Sequence, residues 1–120
     1  MNRKTVVIGA SENPERYSNR AVKSLLRHEQ EVVAVGLKEG EIDGVKILTG
    51  KPAIENVDTV TMYVGPAHQK DWYDYVLSLK PKRIIFNPGA ENPEFEKLAE
   101  QNGIEVVEAC TLVMLSIGNF

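Results

Sequence analysis

Residues 5–36 read TVVIGASENPERYSNRAVKSLLRHEQEVVAVG, and this stretch decides the fold. Val6-Val7-Ile8 is a short β-branched run that Gly9 ends, which predicts a buried strand. From about Ser18 to Arg27, Ala21, Val22, Leu25 and Leu26 share one helical face while Arg20, Lys23 and Arg27 lie elsewhere. Glu31 then opens a second strand, Val32 to Val35, which Gly36 ends. Strand, amphipathic helix, strand at this spacing is a βαβ unit, so the two strands are expected to lie parallel.

The alternation continues outward. Lys38 to Asp43 is polar and contains a glycine, so it reads as a loop, and Val45 to Leu48 as a short edge strand. Val57 to Val64 is the next strand, punctuated by Gly65-Pro66. Proline suits the first turn of a helix, where its missing N–H costs nothing. Trp72, Val76 and Leu79 line that helix, and Lys80-Pro81 stops it. Arg83 to Phe86 is a strand broken by Asn87-Pro88-Gly89. Asn92-Pro93 reads as an N-cap with proline at the first helical position, with Phe95, Leu98 and Ala99 facing inward. Asn102-Gly103 closes this helix, Ile104 to Val107 forms a last strand, and a helix follows from about Thr111. An open, doubly wound, mostly parallel sheet of about five strands with helices on both faces accommodates this order. In such a sheet ligands bind beyond the carboxyl ends of the strands, where strand order reverses. Four loops are expected to meet there: Gly9 to Tyr17, Gly36 to Lys38, Gly65 to His68, and Asn87 to Asn92.

Composition limits the function classes. The chain has 120 residues, 42% of them apolar, with 14 Lys and Arg against 17 Asp and Glu. One domain over residues 1–120 is expected, burying roughly two-thirds of the unfolded chain's surface. A net charge of −3 gives no overall electrostatic footprint for nucleic acid or an anionic membrane. The single cysteine cannot form an internal bridge, which fits a reducing cytoplasm. Met1-Asn2-Arg3-Lys4 runs into an apolar stretch too short for a signal peptide or a membrane span.

The first loop narrows the ligand. Gly9-Ala10-Ser11 follows a strand and leads toward a helix, where backbone N–H groups and the helix dipole hold anions. Ser11 offers a hydroxyl, with Ser18 and Asn19 as further donors. There is no Gly-Lys-Ser or Gly-Lys-Thr phosphate loop, and Gly9 stands alone where a dinucleotide fingerprint needs three glycines. A nicotinamide–adenine dinucleotide site wants an acid at the carboxyl end of the second strand, and here Gly36-Leu37-Lys38 occupies it. Lys38 suits a nucleotide with an extra ribose phosphate, which means NADP or coenzyme A; its bland reading is a solvated loop lysine.

Several segments together resemble a known family. Gly9-Ala10-Ser11, Asn13-Pro14-x-x-Tyr17-Ser18, Glu31 to Val35, Ile42-Asp43-Gly44-Val45, Val57-Asp58-Thr59-Val60, Phe86 to Asn92 and Cys110 follow, in order and spacing, the small bacterial CoA-binding proteins. These are single-domain relatives of the nucleotide-binding domain in the succinyl-CoA synthetase α subunit. The resemblance implies a Rossmann-like fold that binds coenzyme A, with pyrophosphate over the first loop and adenosine near the second strand. With it, the candidate ligand contacts are Gly9, Ala10, Ser11, Pro14, Tyr17, Ser18 and Asn19 around the first loop, and Gly36 and Lys38, taken from their own place at the end of the second strand. On the other side of the switch it implies Val64, Gly65, Pro66 and His68, then Asn87, Pro88, Gly89 and Ala90, and finally Cys110. Two departures stand out: Gly36-Leu37 replaces the family's usual Asn-Pro, and Phe86-Asn87 its Trp-x-Gln.

The resemblance implies binding and no particular reaction, so no catalytic residue is assigned. Cys110 can be read as a thiol activated near a helix N-terminus, able to exchange with CoA, or as a small buried hydrophobe. His68 can reach a phosphate or a pantetheine amide, or simply face solvent. No metal-ligand spacing is present. An NADP-dependent enzyme and a ligand-free interaction module remain open alternatives on the same fold. The apolar C-terminal stretch, Leu112 to Leu115 with Ile117 and Phe120, can cover the sheet or a second subunit, so a homodimer or a protein partner is also open.

Overall fold

The computed structural model describes residues 3–120. Met1 and Asn2, part of the stretch considered as a leader, lie outside the described residues. The strands are β1 (Lys4–Ile8), β2 (Glu31–Val35), β3 (Gly40–Ile42), β4 (Val45–Leu48), β5 (Thr59–Met62), β6 (Arg83–Phe86) and β7 (Glu105–Glu108). They form one sheet in the order β3-β4-β2-β1-β5-β6-β7, with every pairing parallel except β3 with β4. The chain builds outward from β1 to β3, then returns to the other side of β1 to lay down β5, β6 and β7. Strand order therefore reverses between β1 and β5, which is where a doubly wound sheet opens a crevice.

Side-chain alternation along the central strand makes two cores. Val6 and Ile8 face one side and pack with Trp72, Val76, Phe86 and Phe95. Val7 faces the other and packs with Val22, Leu25 and Leu115. A period of two on a fully buried strand requires helices on both faces, and they are present. Helices α1 (Tyr17–Arg27) and α5 (Thr111–Ile117) cover the Val7 face. The Val6 face is covered by α3 (Tyr73–Ser78) and α4 (Pro93–Gln101). The short α2 (Pro66–Gln69) and a 3₁₀ turn (Lys70–Trp72) lead into α3, so the one helix expected after Pro66 is in three pieces.

The sheet has seven strands rather than about five. The segment read as a loop, Lys38 to Asp43, contains β3, and Val45 to Leu48 is interior because β3 takes the edge beside it. The cause is the Asp43-Gly44 pair, both residues left-handed at φ 46° and 88°. Two successive left-handed residues make the turn whose twist matches a tight hairpin, and Ile42 pairs with Val45 across it. Asn92 caps α4 as expected, its side-chain oxygen accepting from the Phe95 amide at 3.2 Å.

Candidate functional site

A cleft of about 1070 Å³ opens at the carboxyl ends of the strands, lined from both sides of the reversal. Its first wall is the loop after β1. Gly9 is left-handed at φ 95°, and a Cβ there would lie 3.1 Å from the Tyr63 carbonyl carbon and oxygen. Both conformation and space therefore require glycine. The Gly9 and Ala10 amides donate to the Val35 carbonyl at 2.9 and 3.0 Å. Those two N–H groups are consumed inside the fold, contrary to the expectation that they face an anion.

The donors left open lie further along. Ser11 Oγ accepts from the Asn13 amide at 3.1 Å, which leaves the hydroxyl proton free to donate. Helix α1 begins at Tyr17 with Arg16 as its N-cap residue, no side-chain cap and no acid in the first turn. The Tyr17 and Ser18 amides have no acceptor among the described residues. An uncapped helix start with free N–H groups attracts negative charge. Asn19 is buried and donates to the Ser11 carbonyl at 2.9 Å, holding the loop from behind instead of lining the cleft.

The loop after β2 supplies Leu37, Lys38 and Glu39 to the cleft. Gly36 does not line it. A Cβ on Gly36 would fall 2.4 Å from the Ala10 carbonyl oxygen and 3.0 Å from Ile47 Cγ2, so this glycine lets the β1 and β2 loops approach. The side chain of Glu12 ties the same region to the sheet edge by accepting from the Glu41 amide at 2.9 Å.

Across the reversal, Tyr63, Val64, Gly65, His68 and the stretch Asn87 to Ala90 form the second wall. Asn87 is buried and fully engaged. Its Nδ2 donates to Thr61 Oγ1 at 2.7 Å and to the Met62 carbonyl at 2.9 Å, and its Oδ1 accepts from the Thr111 amide at 2.9 Å. It positions the start of α5, with Cys110 as N-cap residue on the cleft. Gln69, fully buried, donates from Nε2 to the Val64 and Ala90 carbonyls at 2.8 and 2.6 Å, and its Oε1 accepts from Asn92 Nδ2 at 3.1 Å. One side chain thus holds two cleft loops together. The Tyr63 hydroxyl is buried with no hydrogen-bond partner among the described residues. Burial pushes its pKa up, so the phenol stays protonated.

Of the residues singled out from sequence, the cleft gathers all except Pro14, Asn19, Gly36 and Pro66. Sequence reasoning missed Arg16, Tyr63 and Trp72, which also line it. Arg16 precedes a helix that starts one residue earlier than its hydrophobic period shows, and Trp72, whose spacing with Val76 and Leu79 suits a core or partner-facing position, also reaches the cleft. Among the described residues, no group of His, Cys, Asp and Glu is arranged to hold a metal ion, and no helix is long and apolar enough to cross a membrane.

The model of the CoA binding domain family matches residues 3–116. No curated protein matches the sequence. Among solved structures, an uncharacterized protein is 50% identical with a TM-score of 0.97, the match covering 100% of this chain and 99% of that one. Cell-free ID.343 from Thermus thermophilus is 26% identical with a TM-score of 0.86, covering 99% of this chain and 91% of that one. The dinucleotide-forming acetyl-coenzyme A synthetase 1 from Ca. Korarchaeum cryptofilum, in complex with phosphate and ADP, shares the fold. Its TM-score is 0.72 at 20% identity, over 88% of this chain and 25% of that one.

Proposed function

This chain belongs to the CoA binding domain family, and from that premise we propose that its cleft binds coenzyme A or an acyl-CoA. The family match over nearly the whole chain carries the reading. The uncapped start of α1, opening on the cleft beside Ser11 and Arg16, supports it chemically. In this reading the pyrophosphate lies against Ser11 and the Tyr17 and Ser18 amides, with Arg16 as countercharge. The ribose phosphate reaches Lys38 and the loop after β2. Pantetheine then runs past Val64, Gly65 and His68 and along Pro88 to Ala90, bringing its thiol end toward Cys110. Gly9, Gly36, Asn19 and Asn87 shape the cleft without donating to the ligand. No reaction is assigned.

The test is calorimetry with CoA, NAD and NADP on the purified chain. CoA binding with no measurable NAD binding is the expected result. The lone glycine of the first loop and Gly36 in place of an acid both work against the nicotinamide dinucleotide. Equal or tighter binding of NAD would overturn the proposal.

A further inference from the structure

The surface of the α1–α5 layer has a composition unlike the rest of the molecule. The chain holds 17 acids, yet neither α1 nor α5 contains one. Arg20, Lys23 and Arg27 recur at i, i+3 and i+7, opposite the buried face of Ala21, Val22 and Leu25, with Lys23 half-buried between the two exposed arginines. At 1.5 Å per residue this row of cations is about 10 Å long. Among the described residues none of the three forms an ion pair with a carboxylate. The nearest acids in sequence, Glu15 and Glu29, lie beyond the helix ends.

Exposed apolar side chains accompany the cations. Among the described residues the large hydrophobic side chains left exposed are Tyr17, Leu37, Val113 and Ile117, at 64%, 86%, 52% and 66%. Tyr17 and Leu37 belong to the cleft, whereas Val113 and Ile117 stand on α5. Val113 and Ile117 are one turn apart on the outer side of α5, whose Thr111, Met114 and Leu115 point inward. The helices of the opposite layer, by contrast, carry Asp74, Glu94, Glu96 and Glu100.

An occupant of this face must be anionic and must also receive aliphatic side chains. A two-fold dimer through it would set one cationic stripe against its own copy, which like-charge repulsion disfavours. A nucleic acid backbone uses cations but gains nothing from exposed valine and isoleucine. Cations beside exposed aliphatic side chains are the composition of a surface that lies on lipid headgroups. We propose that the outer face of α1 and α5 docks on an anionic lipid surface. The average charge of the chain conceals the cationic character of this face.

The test is cosedimentation of the full chain with phosphatidylcholine vesicles, with and without phosphatidylglycerol, at low and physiological salt. Binding is expected only to the phosphatidylglycerol vesicles, and it weakens as salt rises. Each cation at such a surface contributes about a fivefold factor, so Arg20→Gln with Arg27→Gln lowers partitioning about 25-fold. Arg20→Lys with Arg27→Lys retains binding and controls for folding. Val113→Ser with Ile117→Ser weakens binding several-fold while leaving its salt dependence in place. No sedimentation at low salt, or sedimentation that the glutamine pair leaves unchanged, overturns the proposal. So does binding of heparin or an acidic peptide in preference to the vesicles, which would assign the face to a polyanion or a protein.

Discussion

Gly36→Ala isolates the contact on which the closeness of the first two loops depends. The added methyl would sit 2.4 Å from the Ala10 carbonyl oxygen and 3.0 Å from Ile47 Cγ2. Ordinary contact needs about 1 Å more than the first distance allows. The obstacle is backbone, held in turn by the Gly9 and Ala10 amides on the Val35 carbonyl and by the Gly36 amide on the Leu48 carbonyl at 2.9 Å. Forcing a methyl into such a site costs about 1–3 kcal/mol. Stretching one of those hydrogen bonds adds about 0.5–1.5 kcal/mol. The reduced freedom of the unfolded alanine chain offsets about 0.4–1 kcal/mol. The net loss is about 2 kcal/mol, or roughly a 10 °C fall in Tm for a domain of this size. Thermal melts followed by circular dichroism read it directly, with Gly65→Ala as internal control. Gly65 has φ −63° and ψ 152°, and a Cβ there meets nothing within 4 Å, so its variant should melt with the wild type. If both variants melt together, the reasoning about loop approach is wrong.

Asn87→Ala removes the side chain that joins β5, β6 and α5 and leaves the buried Thr111 amide without its acceptor. A loss of about 2–4 kcal/mol in urea denaturation is expected, and a loss below about 1 kcal/mol would contradict the role assigned to it. Lys38 is exposed, so its contact with a ribose phosphate should contribute a two- to fivefold preference for CoA over dephospho-CoA, about 0.5–1 kcal/mol, weakened by salt. Lys38→Ala should erase that preference; a variant that discriminates as the wild type does rules the contact out. The Glu96 carboxyl is held above its ordinary range, chiefly by burial and further by Glu108 and Glu100, while the Asn92 amide acts the other way. A carboxyl with a raised folded pKa binds more protons folded than unfolded, so stability is lost as pH rises through that pKa. Glu96→Gln keeps an acceptor for the Asn92 amide and should match the wild type in acid but melt higher at pH 7. A lower melting point at pH 7 would refute this.

The alternation of β-branched runs with amphipathic helices was enough to establish a doubly wound sheet, because each element's hydrophobic period is local to it. The β3–β4 hairpin was written in the sequence too. Ile42-Asp43-Gly44-Val45 places an Asp-Gly turn between apolar residues, a strong hairpin signal, but the polar residues before it read as a loop. Which amides at the first loop stay free was not legible. Gly9 and Ala10 lose theirs to Val35, a partner across the sheet that only the register supplies. The same holds for Asn87, whose three buried bonds depend on where β5 and α5 come to rest.

The amide of Gln69 has a consequence for motion. Because it bonds the carbonyls of Val64 and Ala90 and meets Asn92, whose Nδ2 also donates to the Tyr73 hydroxyl at 2.8 Å, the two loops of the second wall cannot loosen separately without stranding a buried amide. They belong to one cooperative unit, extended by the stacking of Tyr73 on Phe95 at 4.3 Å. Slow hydrogen exchange in either loop is then governed by a single opening event. A molecule held by either loop slows exchange in both, so residues far from any contact would report its arrival.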